Sequence, residues 1–306
     1  MKKLCVIGSI NTDLIATVEN FPKPGQTVTG SFFDTTFGGK GANQAVALGK
    51  LDADVTMVGK LGTDLFGDNY MKHFENIGVK TVIDRTDGSS GVAVIEIDKT
   101  AQNHIVVVPG ANGTVDNSFV DSALEKVSDC DIFLLQLEIP LETVVYAAKK
   151  LSAMGKTVIL DPAPAVELPD ELLSCIDYIT PNETEIEIVS KKSVSCDEDL
   201  KIAAQALIDR GVKTIIAKAG GNGAYIINRK EFVHVPPYKV NPVDTTAAGD
   251  SFNAGFAFGL ALELPIFDCV KIGNAVGGLA TEGMGAQSAM PDKKTVKEKM
   301  GEELFQ

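Results

Sequence analysis

The sequence predicts an α/β fold in which a mostly parallel β-sheet is covered by helices on both faces. Three observations predict it. Short, continuous apolar runs recur along the chain, as strands buried on both faces require. Helix-length amphipathic runs separate them. The 306 residues, 44% of them hydrophobic, are enough for one large core or two small ones. No repeat, low-complexity tract or flexible linker divides the alternation, so a single α/β domain over 1–306 is expected.

KLCVIG (3–8) is the first buried strand, and its apolar run is too short for a signal peptide. Residues 12–36 then break the rhythm: apolar and polar positions alternate between turn residues, the mark of half-exposed antiparallel strands. The rhythm resumes with a helix over 41–51, a strand over 55–59 and a helix over 65–77. Residues 91–108 repeat the interruption. Helices over 117–128, 141–154 and 197–210 then alternate with strands over 131–136, 157–161, 177–181 and 214–219, and the chain is mainly helical from about 248. The two interruptions predict a small separate sheet serving as a lid or an oligomer interface, or else an extension of one edge of the main sheet.

Composition narrows the function. Lys and Arg number 28 against 41 Asp and Glu, a formal charge of −13, which argues against a general nucleic-acid binder but leaves room for a small anion in a local site. No apolar run approaches the roughly 20 residues that span a bilayer, so no membrane partner is expected. Five scattered cysteines without a C-x-x-C pair, and three histidines outside any H-x-x-x-H pattern, point away from zinc and disulfide frameworks and toward a reducing cytoplasm.

Several motifs fall where strands end. FGGKGANQAVALGK (37–50) lacks the hydroxyl that follows the lysine of a Walker loop, but its glycines admit a ligand and Lys40 and Asn43 suit a polyhydroxylated one. GSINTD (8–13) lacks the third glycine of a dinucleotide fingerprint. There Asp13 either accepts hydrogen bonds from two vicinal hydroxyls or forms an Asx turn. LQLEIP (135–140) presents Glu138, and in TPNETE (180–185) Asn182 and Glu185 either face a hydrated divalent ion or cap a helix. KAGGNGAY (218–225) is a glycine-rich link that fits a nucleotide or a plain hairpin turn. In DTTAAGDSFNAG (244–255), a helix beginning near Ala248 would leave the amides of Ala247, Ala248 and Gly249 as an anion hole beside Asp250. Asp250 could then orient an alcohol and accept its proton during phosphoryl transfer, which needs positioning more than a strong base.

In order and spacing, GSINTD, FGGKGANQAVA, QLEIP, DPAPA, ITPNETE and VDTTAAGDSFNAG resemble the ribokinase-like (PfkB) carbohydrate kinases over roughly residues 3–292. The resemblance implies a three-layer fold with a β lid, and ATP-dependent phosphorylation of D-ribose at its 5-hydroxyl. It implies Asp250 as base and the Ala247–Gly249 amides as anion hole. Asn11, Asp13, Gly39, Lys40, Asn43 and Glu138 become the sugar set. Asn182, Lys218, Ala219, Gly220, Gly221, Asn222, Gly223, Gly249 and Asn274 become the ATP set. Glu185 acts on magnesium through water, and potassium maps to Asp244, Thr246, Ala280, Gly283 and Gly285. Many relatives have Thr at the position of Lys218 and Ser at that of Ala289. A homodimer through the lid is also implied. Kinases for deoxyribose, fructose or a nucleoside are the same-class alternatives. A non-catalytic sugar sensor has no need of Asp250, and a dinucleotide-dependent oxidoreductase is disfavoured by the missing glycine.

Overall fold

The structure, a computed structural model, describes residues 1–100 and 102–301. Ala101, within the second interruption, and residues 302–306 lie outside the described residues. The elements run β1 (Leu4–Ile7), β2 (Asn11–Thr17), β3 (Phe32–Gly38), α1 (Lys40–Lys50), β4 (Val55–Gly62), α2 (Leu65–Ile77), β5 (Lys80–Thr86), β6 (Gly91–Ile97) and β7 (Asn103–Val108). There follow α3 (Asn117–Lys126), β8 (Ile132–Leu135), α4 (Leu141–Ala153), β9 (Thr157–Leu160), α5 (Asp170–Leu173), β10 (Tyr178–Ile179), α6 (Glu183–Ser190), α7 (Asp197–Asp209) and β11 (Thr214–Lys218). The chain closes with β12 (Ala224–Ile227), β13 (Phe232–Val235), α8 (Ala248–Ala261), α9 (Ile266–Ala280) and α10 (Lys293–Met300).

Local chemistry sets many of the helix ends. The side chains of Asp64, Asp116 and Asp292 accept from the amides of Gly67, Phe119 and Thr295, and α2 stops at Gly78 with φ +80°. α6 opens on a reciprocal capping box between Asn182 and Glu185.

The main sheet has the order β13-β12-β11-β10-β9-β8-β1-β4-β5. It is parallel from β5 to β11, and β12 and β13 add an antiparallel edge. Side chains alternate between two cores. Cys5, Ile7, Phe133 and Leu135 face α3 to α7, while Leu4, Val6, Ile132 and Leu134 face α1, α2 and α8 to α10. Burial on both faces explains why these strands lack apolar–polar alternation.

The two interruptions meet in a separate four-stranded sheet of order β3-β2-β6-β7. Its central pair, β2–β6, is parallel, unlike the antiparallel pairing expected for these segments. β1 and β5 run parallel in the main sheet, and each passes through a short turn directly into β2 or β6, so the same direction is carried over.

Candidate active site

The chain leaves β1 for β4 and β5 on one side, then returns to β8 and the remaining strands on the other. In open α/β sheets such a reversal opens a crevice beyond the carboxyl ends of the strands. Ser9, Gln136, Glu138, Asp161, Asn182 and Lys218 stand at or just past those ends on β1, β8, β9, β10 and β11.

The residues expected to hold a sugar are drawn together there. Glu138 Oε2 accepts from Ser9 Oγ at 2.6 Å and from the Lys40 amide at 3.0 Å. Gly39 starts α1 at φ +87°, and a Cβ there would sit 2.6 Å from the Asn11 amide, so only glycine lets this turn close. Asn112 grips Ile10 through both its amide and its carbonyl, at 2.9 and 3.1 Å, and donates to Asn11 Oδ1 at 2.7 Å. Asp13 lies against Gly38, where a Cβ would collide with its carboxylate. Burial first, then the charges of Glu138 and Asp250, push the Asp13 carboxyl up to about 7.

Asp250 is buried in the first turn of α8. It does not cap that helix. The N-cap is Ala247, at φ +57° and without a side-chain bond, and Asp250 is held from across the crevice. Asn43 Nδ2 donates to its Oδ2 at 2.9 Å and Gln44 Nε2 to its Oδ1 at 3.1 Å. Burial pushes its carboxyl up to about 6, with Lys40 pulling the other way and Asp161 pushing further. Burial opposes charge on Lys40 too, but Asp250, Asp161, Glu138 and Glu185 overrule it and raise the pKa of its ammonium.

The expected anion hole is narrower than three amides. Ala248 N–H donates to the Thr245 carbonyl at 3.2 Å, whereas those of Ala247 and Gly249 bond to no other described residue. Lys218 Nζ stands 3.5 Å from where a Cβ on Gly249 would lie, and pairs with Asp161 at 3.2 Å and Glu185 at 4.0 Å. This places an ammonium, not only main chain, beside the hole. Asn182 and Glu185 face each other through three bonds of 2.8–2.9 Å, so the helix cap is present. Residues 218–224 make an antiparallel hairpin turn, closed by Ala219 N–H to the Gly223 carbonyl at 2.8 Å; the space above Gly220 and Gly221 is open. Asn274 spends its Nδ2 on the carbonyls of Val235 and Pro236, at 3.2 and 2.9 Å. Beside this turn lies a cavity of about 210 Å³, lined among others by Asn182, Lys218, Ala219, Asn222 and Tyr225.

Asp244 ties two loops together. Its Oδ1 accepts from the Thr246 amide and hydroxyl at 2.9 and 2.6 Å, and its Oδ2 from the Gly285 amide at 2.8 Å. Burial pushes its carboxyl upward, but these bonds outweigh it and hold it below the ordinary range. Ala280 ends α9 and Gly283 follows it in the same loop. Among the described residues, no group of three or more His, Cys, Asp or Glu side chains is placed to hold a metal ion.

The pattern typical of pfkB family carbohydrate kinases matches residues 1–293. The chain belongs to that family. Ribokinase of Haemophilus influenzae is 37% identical to it over 295 residues, covering 96% of each chain. Deoxyribokinase of Salmonella typhi is 38% identical over 291 residues, covering 94% of this chain and 95% of the relative. The structure of Arabidopsis thaliana ribokinase complexed with ribose and ATP superimposes with a TM-score of 0.91 at 31% identity, over 98% of this chain and 99% of the other. As a carbohydrate kinase it has a mostly parallel sheet flanked by helices, with a small separate sheet, as the sequence led us to expect.

Sequence reasoning missed Ser9, Gln44, Asn112, Gln136, Asp161 and Gln287. Gln287 Nε2 donates to Asn43 Oδ1 at 2.9 Å and to the Tyr70 hydroxyl at 2.8 Å. All but Asn112 lie within or beside stretches already singled out, Gln287 between Gly285 and Ala289. Asn112 sits in the turn PGANG, a composition that signals a turn but not its clamp on Ile10.

Proposed function

We propose that the chain transfers the γ-phosphoryl group of ATP to the 5-hydroxyl of D-ribose, giving D-ribose 5-phosphate and ADP. The observation that carries this reading is Asp250: a buried carboxylate one residue past the unbonded Gly249 amide at the start of α8, among the sugar-side residues. Asp250 takes the hydroxyl proton as the alcohol oxygen bonds to the γ-phosphorus, and the bond from that phosphorus to the bridging oxygen of ADP breaks. The free amides and Lys218 stabilise the charge on the transferring group. Asn11, Asp13, Gly39, Lys40, Asn43 and Glu138 hold the sugar. Asn182, Lys218, the turn through Ala219, Gly220, Gly221, Asn222 and Gly223, and Gly249 hold the nucleotide. Asn274 contributes through its Oδ1, since its Nδ2 is engaged.

Glu185 suits a magnesium ion that keeps its water shell, because Asn182 holds the carboxylate in place with lone pairs to spare for that water and the ion arrives with the nucleotide phosphates. Bound magnesium neutralises phosphate charge. The oxygens of Asp244, Thr246, Ala280, Gly283 and Gly285 suit potassium, a hard cation that takes carbonyl and carboxylate donors. Ala289 supplies no hydroxyl there, and Ser288 Oγ donates its proton to the Met284 carbonyl at 2.9 Å, which leaves its lone pairs open.

We read the whole chain as one kinase domain, in which the small sheet is the lid and, through its exposed apolar strands, the contact of a homodimer. The scattered cysteines support a cytoplasmic enzyme. No helix among the described residues is long and apolar enough to cross a membrane. The formal charge of −13 supports small-molecule substrates over nucleic acid.

A panel of ribose, 2-deoxyribose, fructose and nucleosides with magnesium ATP, with and without potassium, tests the reading. Ribose is expected to be the best substrate, with potassium raising its rate. 2-Deoxyribose is expected to be about 5- to 100-fold poorer in kcat/KM, the loss of one buried hydrogen bond to Asp13. Equal or better use of 2-deoxyribose would instead assign the activity named for the Salmonella typhi relative. Absence of any phosphorylated product would leave a sugar sensor.

A further inference from the structure

Gln44 is fully buried on α1 and has no place in the sugar or nucleotide sets. Its Nε2 donates to Asp161 Oδ2 at 2.9 Å and to Asp250 Oδ1 at 3.1 Å, and its Oε1 accepts from Gln136 Nε2 at 2.7 Å. Ionised carboxylates only accept, so they dictate which way this amide points. The choice propagates: Gln136 must present its nitrogen to Gln44, and its own Oε1 is left buried without a partner. That oxygen lies against Gly8, where a Cβ would collide with it. A folded chain seldom tolerates an orphaned acceptor unless another arrangement depends on it.

The arrangement it serves is a bridge between two halves of the crevice. On one side, Asp250 has one oxygen held by Gln44 and the other by Asn43. On the other, Asp161 holds Lys218, the ammonium beside Gly249. We propose that Gln44 is a positioning residue for phosphoryl transfer: its single amide group sets the Asp250 carboxylate and ties it to the Asp161–Lys218 pair. This rests on reading Asp250 as the base. The other titratable groups facing Asp250 are Lys40 on α1, Asp13 on β2 and Tyr70 on α2.

Gln44→Met nearly preserves the volume and removes the donor. In the full-length protein, with ribose and ATP, kcat is expected to fall about 10- to 100-fold, the size of one hydrogen bond to a charged group. KM for each substrate should stay within about threefold, because the reaction loses an interaction made to the base rather than to either ligand. The acid limb of kcat should move to higher pH, since ionised Asp250 then faces Asp161 without a donor between them. An unchanged kcat and acid limb, or a loss confined to KM, would overturn the proposal. Should Gln44→Met not fold, Gln44→Leu likewise removes the donor without adding a titratable group; a similar fall in turnover is expected there, and parental turnover would overturn the proposal. If neither variant folds, Gln44 serves the fold and the proposal falls. Asp250→Asn is assayed alongside. An active Asp250→Asn defeats the base reading itself, whereas an inactive one beside a normal Gln44→Met defeats this inference alone.

Discussion

At Asp13, the proposed sugar recognition and stability pull in opposite directions. Its carboxyl sits at about 7 in the folded chain, against 3.8 as its ordinary value. The folded state therefore holds a proton that the unfolded state has lost between these values. The resulting contribution to stability is present below about pH 4 and is lost as pH rises through about 7. Asp13→Asn removes this pH dependence, because Asn never ionises. The variant is expected to be more stable than the parent at pH 8 by about 1–3 kcal/mol, but not at pH 4, in urea unfolding without sugar. Its KM for ribose should rise at least about tenfold. Equal stability gaps at the two pH values would refute the account of Asp13. Lys40 and Asp250 were legible because each stands in the first turn of a helix in a distinctive local sequence, and Asp13 because it closes the motif after β1, although it lies within β2 and not at a strand end. Gln44 and Asp161 were not. An amide or a carboxylate acquires its role from what the fold sets opposite it, and their partners are 117 and 206 residues away for Gln44 and 57 for the Asp161–Lys218 pair.

At the scale of elements, the small sheet leaves apolar side chains in water. Phe32 and Phe33 on β3, and Ile105, Val106, Val107 and Val108 on β7, are all exposed, Val106 by 62%. Both strands are edges, with unpaired backbone groups along one side. Such an edge is either covered or prone to pairing, and the proposed homodimer covers it. Val106→Asp is expected to shift the protein from dimer to monomer in sedimentation equilibrium by at least about tenfold in Kd. A parent that is monomeric at every concentration would contradict the dimer. The helices over 40–50, 65–77, 117–126, 141–153 and 197–209 match their expected spans within two residues, because amphipathic period and end signals agree. β5 and β13 escaped notice, and β12 was foreseen only as the strand beyond the glycine-rich link. KTVIDRT (80–86) carries charges on a half-exposed edge strand, and the pair β12–β13 is short and hidden behind a glycine-rich turn. The parallel β2–β6 pairing was also invisible, since strand alternation says which face is buried and nothing about direction.

At the scale of the whole molecule, the sheet order does the assembling. Residues from distant segments between Ser9 and Asp250 meet because β1 lies between β8 and β4, so the loops after β1, β8, β9, β10 and β11 open on one edge. The α/β class was legible from the buried strands and the helices between them, whereas the strand order is a property of crossovers that leave no local mark. The crevice thus gathers five carboxylates, Asp13, Glu138, Asp161, Glu185 and Asp250, around two ammonium groups, Lys40 and Lys218. That imbalance keeps Lys40 charged, while burial above all, with Asp161 adding to it and Lys40 opposing, raises Asp250 toward the pH at which a carboxylate exchanges protons with an alcohol in transit. The most direct measurement is steady-state phosphorylation by Asp250→Asn, with ribose affinity determined separately by calorimetry. The account predicts kcat lower by about 10²–10⁴-fold with ribose Kd within about threefold of the parent. Turnover within about threefold of the parent would contradict it.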